Sequence, residues 1–277
     1  MTNAGMRLAA RMDTFGPLCV GIDPHPQLLA AWQLEDTVAG LRAFSEICVE
    51  ELVGTCAAIK PQVAFFERFG PPGMQVLAEL LTGASELGHF TIADAKRGDI
   101  GSTMAGYGAA YLSADAPFPC DALTVNPYLG VGALAPAIEL ALSNDKALFV
   151  LALTSNPQGA SVQHCGGDDA VAKRVIDELA AYNRDICASS GHPIGPLGTV
   201  VGATVGDAPR KLGIDLAAFN GIHLAPGVGA QGADAASCRR VFGNARMLAS
   251  VSRAVLRAGP GKLAAAAREF GTSLTSA

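Results

Sequence analysis

Eight short apolar runs alternate with helix-like segments along the chain, and this alternation constrains the possible fold more than any other feature. The runs are rich in Val, Ile, Leu and Ala and are nearly continuous, as is typical of parallel strands buried on both faces. They occupy residues 18–22, 57–63, 89–95, 122–126, 147–154, 199–203, 221–225 and 247–251. The sequence therefore predicts eight parallel strands.

Helical patterns fill the segments between these runs and are clearest at residues 37–52, 74–87, 101–112 and 168–187. Eight strand–helix units in about 250 residues fit a closed barrel, with an open doubly wound sheet as the alternative. We expect an α/β fold, a (β/α)8 TIM barrel, with residues 1–277 forming a single domain. The connection at about 155–198 is longer than the others, and we interpret it as an insertion or lid.

Composition excludes several classes of function. The net charge is −5 and no run of Lys or Arg occurs, which argues against nucleic-acid binding. No apolar run approaches the ~18 residues needed to span a membrane, so we expect no membrane association. Arg7 and Arg11 lie in a short amphipathic segment that suits a capping helix better than the alternative, a transit peptide.

Cysteine usage indicates a reducing compartment. The chain has seven cysteines, an odd number, and no Cys-x-x-Cys pair. This pattern predicts scattered, mostly buried thiols and a cytoplasmic location.

Polar residues follow the apolar runs at the point where each predicted strand enters its loop. In a barrel of this type, functional residues gather at that end of the strands. Seven of the eight runs end in this way, and the residues concerned include Asp23, Lys60, Asp94, Lys96, Asn126, Ser155, Gln231 and Arg253. We therefore expect a ligand site at this end of the barrel.

The third run carries the densest group of charges. Side chains alternate along a strand, so Asp94 and Lys96 should point the same way, and Lys60 on the second strand should reach them. This predicts a Lys–Asp–Lys row at the barrel mouth, functional or, alternatively, a structural ion-pair ladder. Spacing alone makes Asp99 a helix N-cap and gives Thr103 no role.

The loops after the last two strands suggest an anion site. Gly227, Gly229 and Gly232 permit close backbone approach and exposed N–H groups, and Arg253 could add charge-assisted hydrogen bonds. Phosphate groups bind at this position in many such barrels. The alternatives are a tight turn for the glycines and a solvated surface charge for Arg253.

One stretch resembles a known family signature. Residues 92–103 read Ile-Ala-Asp-Ala-Lys-Arg-Gly-Asp-Ile-Gly-Ser-Thr, and Asp-x-Lys-x-x-Asp-Ile-Gly-x-Thr is the pattern of the orotidine 5′-phosphate decarboxylase family. The resemblance extends from Gly-Ile-Asp-Pro at 21–24 to Ser-Arg at 252–253, and Thr-Ser-Asn-Pro at 154–157 is similar to the longer bacterial form. Metal-dependent sugar-phosphate relatives share only the shorter Asp-x-Lys-x-x-Asp core.

The resemblance implies decarboxylation of orotidine 5′-monophosphate to uridine 5′-monophosphate, the last step of de novo pyrimidine nucleotide synthesis. It implies no cofactor and no metal. Lys60, Asp94, Lys96 and Asp99 would form a charged catalytic array in which Lys96 protonates C6 of the pyrimidine.

The same resemblance assigns substrate contacts. Asp23 would bind ribose hydroxyls, Ser155 would read the pyrimidine, Gln231 would bridge the phosphate loop toward the base, and Arg253 with the glycine amides would hold phosphate. In a homodimer, Asp99, Ile100 and Thr103 would reach the partner subunit's site.

Two other hypotheses stay open at this point. One is a metal-dependent sugar-phosphate lyase on the same barrel, although the five histidines show no metal-ligand spacing. The other is a catalytically silent barrel that binds nucleotide monophosphates. Arg97 has no assigned role, and we expect it to face solvent or an interface.

Overall fold

Eight parallel strands form the centre of the molecule in a computed structural model that describes residues 3–229 and 232–275. The sheet order is β2-β1-β8-β7-β6-β5-β4-β3, and isolated bridges Ile59–Thr91 and Gln62–Asp94 join the two outermost strands, β2 and β3. The predicted (β/α)8 barrel is confirmed. The strands are β1 (Leu18–Ile22), β2 (Ala58–Pro61), β3 (Ile92–Arg97), β4 (Ala122–Val125), β5 (Ala147–Leu153), β6 (Leu197–Val201), β7 (His223–Pro226) and β8 (Met247–Val251).

Helices cover the outside of the strands and one end of the barrel. They are α1 (Ala4–Phe15), α2 (Pro26–Ala31), α3 (Val38–Glu51), α4 (Ala64–Glu67), α5 (Gly70–Glu86), α6 (Gly101–Leu112), α7 (Ala135–Ser143), α8 (Ala160–Gln163), α9 (Val171–Ser190), α10 (Ala208–Lys211), α11 (Ala235–Phe242), α12 (Arg253–Leu256) and α13 (Leu263–Thr275). No helix in the described ranges is long and apolar enough to cross a membrane.

Two element boundaries differ from the sequence prediction for identifiable reasons. Helix α5 begins at Gly70, four residues earlier than expected, because prolines are tolerated in a first helical turn, where their missing N–H is not needed. Strand β3 extends to Arg97 because an irregularity after Ala93 lets it pair again with β4.

The N-terminal helix closes the end of the barrel where the strands begin, as expected for a capping helix. Leu8 and Met12 of α1 pack into an apolar cluster with strand residues that include Phe149. Arg7 donates to Asp121 and to the Asp145 carbonyl just before β4 and β5. Arg11 does the same for three carbonyls before β2 and β3, those of Cys56, Ala57 and Gly88.

The long connection between β5 and β6 is mostly one helix. Helix α9 packs its buried face, which includes Val175, Ile176 and Leu179, against the core. The buried side chain of Asn183 donates to the Leu197 carbonyl and accepts from the Leu197 N–H, which ties α9 to β6. Its first part, residues 154–170, is called the lid segment here, and several of its side chains, including Ser155 and Val162, line a cleft together with Lys96.

The seven cysteines are free thiols in the structure. Five are buried, Cys187 is partly buried, and Cys165 is exposed. The prediction of mostly buried thiols is therefore confirmed.

A buried histidine is expected to make the fold sensitive to acid. His223 is fully buried, its Nε2 lies 2.9 Å from the Leu216 carbonyl oxygen, and its Nδ1 lies 2.6 Å from the Thr199 hydroxyl. A carbonyl only accepts, so Nε2 carries the proton and Nδ1 accepts from Thr199. Burial lowers the pKa of His223 to about 4.

We expect the free energy of unfolding to fall by ~3 kcal/mol through His223 as the pH drops from 7 to 4, because the unfolded chain then binds the extra proton. The substitution His223→Gln should make that fall smaller, whereas His164→Gln, in a surface loop, should leave it unchanged. Chemical denaturation at each pH measures this. Equal pH dependence in wild type and His223→Gln would contradict the prediction.

Candidate active site

A carboxylate flanked by two ammonium groups lies where β2 and β3 end. Lys60 Nζ is 2.6 Å from Asp94 Oδ2, and Lys96 Nζ is 2.6 Å from Asp94 Oδ1. The Lys60 and Asp94 side chains are only 7% and 9% exposed, whereas Lys96 is 44% exposed. The predicted Lys–Asp–Lys row therefore exists, with Lys96 as the member that reaches the open space of the barrel mouth.

Four donors surround the Asp94 carboxylate. In addition to the two lysines, the Thr124 hydroxyl donates to Oδ1 at 3.0 Å and the Gln62 amide donates to Oδ2 at 3.2 Å. Burial alone would raise the pKa of Asp94, but the two ammonium groups and their hydrogen bonds hold it well below the usual range.

The electrostatics of Lys60 follow the same logic. Burial alone would lower the pKa of Lys60, yet the nearby charges of Asp94 and Asp23 raise it above its usual value. At neutral pH Lys60 and Asp94 are therefore both ionised.

The backbone at Lys96 departs from a regular strand. In the pairing of β3 with β4, Ala93 lies opposite Leu123 and Arg97 opposite Val125, so residues 94–96 face Thr124 alone. Lys96 has φ +50°, in the left-handed region that non-glycine residues rarely occupy. Such bulges re-aim side chains next to functional sites. Regular alternation correctly predicted that the Asp94 and Lys96 side chains meet, but the direction of the Lys96 side chain depends on the bulge.

The row lines one wall of a polar cleft of about 390 Å³. Asp23, Ser252 and Arg253 line the same cleft from the ends of β1 and β8. Asp23 Oδ1 and Ser252 Oγ are buried and have no hydrogen-bond partner among the described residues. Buried polar atoms are nearly always paired, so these two groups indicate where a polar ligand would bind.

A second, more apolar cleft opens on the other side of Lys96. Its lining includes Lys96, Ser155, Val162 and Val171, so the lid segment forms one wall. Gln163 accepts from the Thr154 N–H and donates to the Thr154 hydroxyl, which fixes that wall to the end of β5. The two clefts share Lys96 and together offer adjacent polar and apolar compartments.

The loop after β7 agrees only partly with the predicted anion site. Gly227, Gly229 and Gly232 have φ values of +98°, +73° and +88°, which favour glycine. Gly227 lines the polar cleft beside Arg253. The N–H groups of Gly229 and Gly232, however, donate to the Ala233 and Gly229 carbonyls within the turn, so they are not exposed as we expected. Gln231 lies outside the described residues.

Three of the expected site residues do not join the Lys–Asp–Lys row within this chain. Among the described residues, the only hydrogen bond to the Asp99 carboxylate comes from the N–H of Ile100. The Ile100 side chain is 61% exposed, and Thr103 on α6 is also exposed. These residues lie on the outer surface beyond the end of β3.

Sequence reasoning missed three residues of the site: Gln62, Thr124 and Ser252. Each of them left a signal. Thr124 is the sole hydroxyl in the apolar strand β4, and Gln62 lies two residues after Lys60. Ser252 directly follows the eighth run and precedes Arg253, but it had been given no role. Within residues 3–229 and 232–275, no group of three or more His, Cys, Asp or Glu side chains could hold a metal ion.

Comparisons with known proteins give one consistent result. A model of the "Orotidine 5′-phosphate decarboxylase / HUMPS family" matches residues 16–270. The orotidine 5′-phosphate decarboxylase of Salinispora arenicola is 51% identical over 264 residues, which are 94% of this chain and 92% of that protein. The orotidine 5′-phosphate decarboxylase of Streptomyces coelicolor is 52% identical over 261 residues, 92% of this chain and 90% of that protein.

Solved structures agree with these sequences. A Streptomyces avermitilis chain, crystallised as a candidate orotidine 5′-phosphate decarboxylase, superposes with a TM-score of 0.92 at 50% identity, over 100% of this chain and 96% of that one. The Leishmania donovani OMP decarboxylase gives a TM-score of 0.76 at 28% identity, over 99% of this chain and 98% of that one.

Removal of the central carboxylate should destabilise the fold in a pH-dependent way. We expect Asp94→Asn to lower the free energy of unfolding at pH 7 by ~3 kcal/mol, because the buried Lys60 ammonium loses its partner. The pKa of Lys60 then falls below its unfolded value, so the stability lost relative to wild type should shrink between pH 7 and pH 10.

Asp36→Asn is the matched control, since Asp36 forms an exposed ion pair with Arg68 and should contribute little. Urea denaturation at both pH values measures all three proteins. Similar losses for the two variants, or a loss for Asp94→Asn that does not depend on pH, would contradict the prediction.

Proposed function

Because the chain belongs to the orotidine 5′-phosphate decarboxylase / HUMPS family, we propose that it decarboxylates orotidine 5′-monophosphate to uridine 5′-monophosphate, the last step of de novo pyrimidine nucleotide synthesis. The observation that carries this proposal is the Lys60–Asp94–Lys96 row, whose exposed member stands between a polar and an apolar cleft. A base-and-ribose-phosphate ligand needs such a pair of compartments.

The reaction breaks the bond between C6 of the pyrimidine and the carboxyl carbon. CO₂ leaves, and the bonding electron pair stays on C6 as a localised carbanion. A fixed positive charge beside C6 stabilises that carbanion as it develops. The Lys96 ammonium then transfers a proton to C6, and the resulting neutral amine regains a proton from solvent.

Lysine suits this role better than arginine does. An ammonium can give up a proton at moderate cost, whereas a guanidinium stays protonated in proteins. The bond between Lys96 Nζ and Asp94 Oδ1 orients the ammonium before the substrate arrives.

Asp94 has a second proposed effect. Its carboxylate stays ionised beside Lys96, so a substrate carboxylate at that place meets a like charge in addition to the ammonium. The repulsion disappears when CO₂ leaves, which favours the reaction by destabilising the bound substrate. Lys60 keeps Asp94 ionised and in place through the 2.6 Å contact.

Binding of the rest of the nucleotide uses the other cleft residues. Asp23, with its unpaired buried oxygen, accepts hydrogen bonds from ribose hydroxyls. Ser155, in the apolar cleft, contacts the polar groups of the pyrimidine ring. Arg253 holds the phosphate beside Gly227, and Gln231 bridges from that loop toward the base. Binding energy from the phosphate contributes to the rate when it drives closure over the base.

We propose a homodimer in which Asp99, Ile100 and Thr103 complete the partner subunit's site. In this arrangement Asp99 joins the other subunit's Lys–Asp–Lys row. Exposed apolar side chains support an interface here: Ile100, Tyr128 and Leu129 are 61%, 79% and 55% exposed. Large apolar groups clustered beyond β3 and β4 are typical of an association surface.

Two further proposals concern the whole chain. The mostly buried free thiols support a reducing, cytoplasmic location. The family match over residues 16–270 supports one barrel domain for residues 1–277.

An ultraviolet assay of orotidylate consumption tests the proposed function. We expect the purified protein to convert orotidine 5′-monophosphate to equal amounts of uridine 5′-monophosphate and CO₂, with undiminished activity after exhaustive chelation. Binding of nucleotide without turnover would favour a silent binding barrel. Activity lost on chelation and restored by a divalent cation would favour a metal-dependent lyase.

Removal of the proposed proton donor should abolish catalysis and leave binding largely intact. We expect Lys96→Ala to lower kcat by at least ~1,000-fold, because both the fixed charge and the acid are lost. Its Kd for uridine 5′-monophosphate should stay within about tenfold of wild type. Lys211→Ala, on the surface helix α10, is the control and should be fully active. Substantial turnover by Lys96→Ala would refute the assignment.

Mixing of subunits tests the shared site. Lys96→Ala and Asp99→Ala should each be nearly inactive alone. In a randomised mixture, half the dimers carry one of each chain and one intact site, so about a quarter of wild-type activity should return. A mixture of Lys96→Ala with Asp94→Asn is the control and should stay inactive, because both residues belong to one subunit's row. No recovery in the first mixture would show that Asp99 does not act across subunits.

A further inference from the structure

Arg97, which had no role in the sequence analysis, is held by several groups at once. Its Nη2 forms an ion pair with Glu67 on α4, and its Nη1 donates to the Ala95 carbonyl oxygen at 3.3 Å. The guanidinium also lies over the Tyr107 ring, 5.7 Å from its centroid. The side chain is only 25% exposed, which argues against the solvent-facing alternative, and the interface alternative stays a prediction.

The Ala95 carbonyl belongs to the peptide unit that precedes Lys96. The N–H of that same unit, on Lys96, donates to the Thr124 hydroxyl at 2.9 Å. Arg97 therefore holds one end of the peptide plane while Thr124 holds the other. On the far side of Lys96, the Arg97 carbonyl accepts from the Asn126 N–H at 2.7 Å.

The orientation of this peptide plane sets the φ angle of Lys96. At +50° that angle is unfavourable for a residue with a Cβ. A strained conformation persists only when its surroundings hold it. If the Ala95 carbonyl were released, the peptide could turn toward an ordinary strand conformation, and the Lys96 side chain would then leave the direction it now has.

We propose that Arg97 is a positioning residue, which anchors to Glu67 and holds the Ala95 carbonyl so that the Lys96 ammonium stays aimed at the reacting carbon. This inference rests on the proposed function, because it concerns the aim of the proposed proton donor. The ion pair between Arg97 and Glu67 also connects β3, the strand of Asp94 and Lys96, with α4. Helix α4 follows β2, the strand of Lys60.

The same helix end offers a closely matched comparison. Arg68 pairs with the Asp36 carboxylate, lies 4.1 Å from the centroid of the Phe69 ring, and is 31% exposed. Like Arg97, it combines an ion pair with a ring contact, but among the described residues its hydrogen bonds go to Asp36 alone, whereas Arg97 also bonds the Ala95 carbonyl and the Tyr111 hydroxyl. The variants Arg97→Gln and Arg68→Gln therefore remove comparable ion pairs and differ in the hold on Ala95 and in the contact with the Tyr111 hydroxyl.

The test compares these two variants in the full-length protein. We expect Arg97→Gln to lower kcat for orotidine 5′-monophosphate by roughly 10- to 100-fold with KM changed less than about threefold, because a misplacement of ~1 Å is costly in catalysis. Arg68→Gln should match wild type. Arg97→Lys keeps the charge but lacks the fork that serves Glu67 and Ala95 together, so it should recover only part of the loss.

A second measurement reports on proton delivery directly. Hydrogen–deuterium exchange at C6 of uridine 5′-monophosphate in D₂O, followed by NMR, reverses the protonation step without any decarboxylation. We expect exchange by Arg97→Gln to slow as much as kcat does, while its Kd for uridine 5′-monophosphate and its Tm match those of Arg68→Gln. A merely structural ion pair would change stability and leave the exchange rate per folded site unaltered.

The outcomes separate this inference from the proposed function. If wild type and Arg68→Gln decarboxylate but Arg97→Gln is equally active, the positioning role is overturned and the function stands. A defect that disappears at high protein concentration would assign Arg97 to subunit association instead, which also overturns it. If Arg97→Gln does not fold, Arg97→Lys and Glu67→Gln give the same comparison. Absence of decarboxylation by wild type would overturn the proposed function and this inference with it.

Discussion

The site depends on one buried carboxylate that would be unstable without its neighbours. Desolvation of an isolated Asp94 would favour its neutral form, and desolvation of an isolated Lys60 would do the same. Together the two groups stay charged, and the surplus positive charge is carried by Lys96 at the open side. The two strands that carry them must therefore keep their register, because a shift of one residue would turn one of the buried charges away from its partner.

The fold and the charged row could be predicted from the sequence because both follow from periodicity. Apolar runs of strand length alternate with helical segments, and Asp94 and Lys96 are two residues apart. Periodicity cannot predict where the alternation is interrupted, as it is in β3 after Ala93. The left-handed backbone of Lys96 is held by Thr124 on the next strand, and the Arg97 side chain bonds the Ala95 carbonyl beside it. The first contact is distant in sequence, and the second depends on a bend that a regular strand does not have, so regular alternation predicted the right neighbours without their geometry.

Asp99 illustrates a different limit. Spacing predicted that Asp99 is the N-cap of a helix, and this prediction is wrong: the N-cap of α6 is Ile100, which has no side-chain cap hydrogen bond, and the Asp99 carboxylate accepts from the N–H of Ile100. Only the family resemblance suggests a second subunit for it. The glycine loop illustrates a third limit: composition allowed either exposed N–H groups or a tight turn, and the hydrogen bonds of Gly229 and Gly232 depend on how the turn closes on itself.

Helix α1, which closes the barrel where the strands begin, also determines by which end small molecules can leave the barrel. Arg7 and Arg11 fasten α1 across that end, and Phe149 and its neighbours fill the interior beneath it. A gas molecule released beside Lys96 thus has no exit through the barrel axis. In the proposed reaction, carbon dioxide and the nucleotide would both leave from the end of the barrel where the two clefts lie, so the order in which the two products depart would depend on the loops around those clefts.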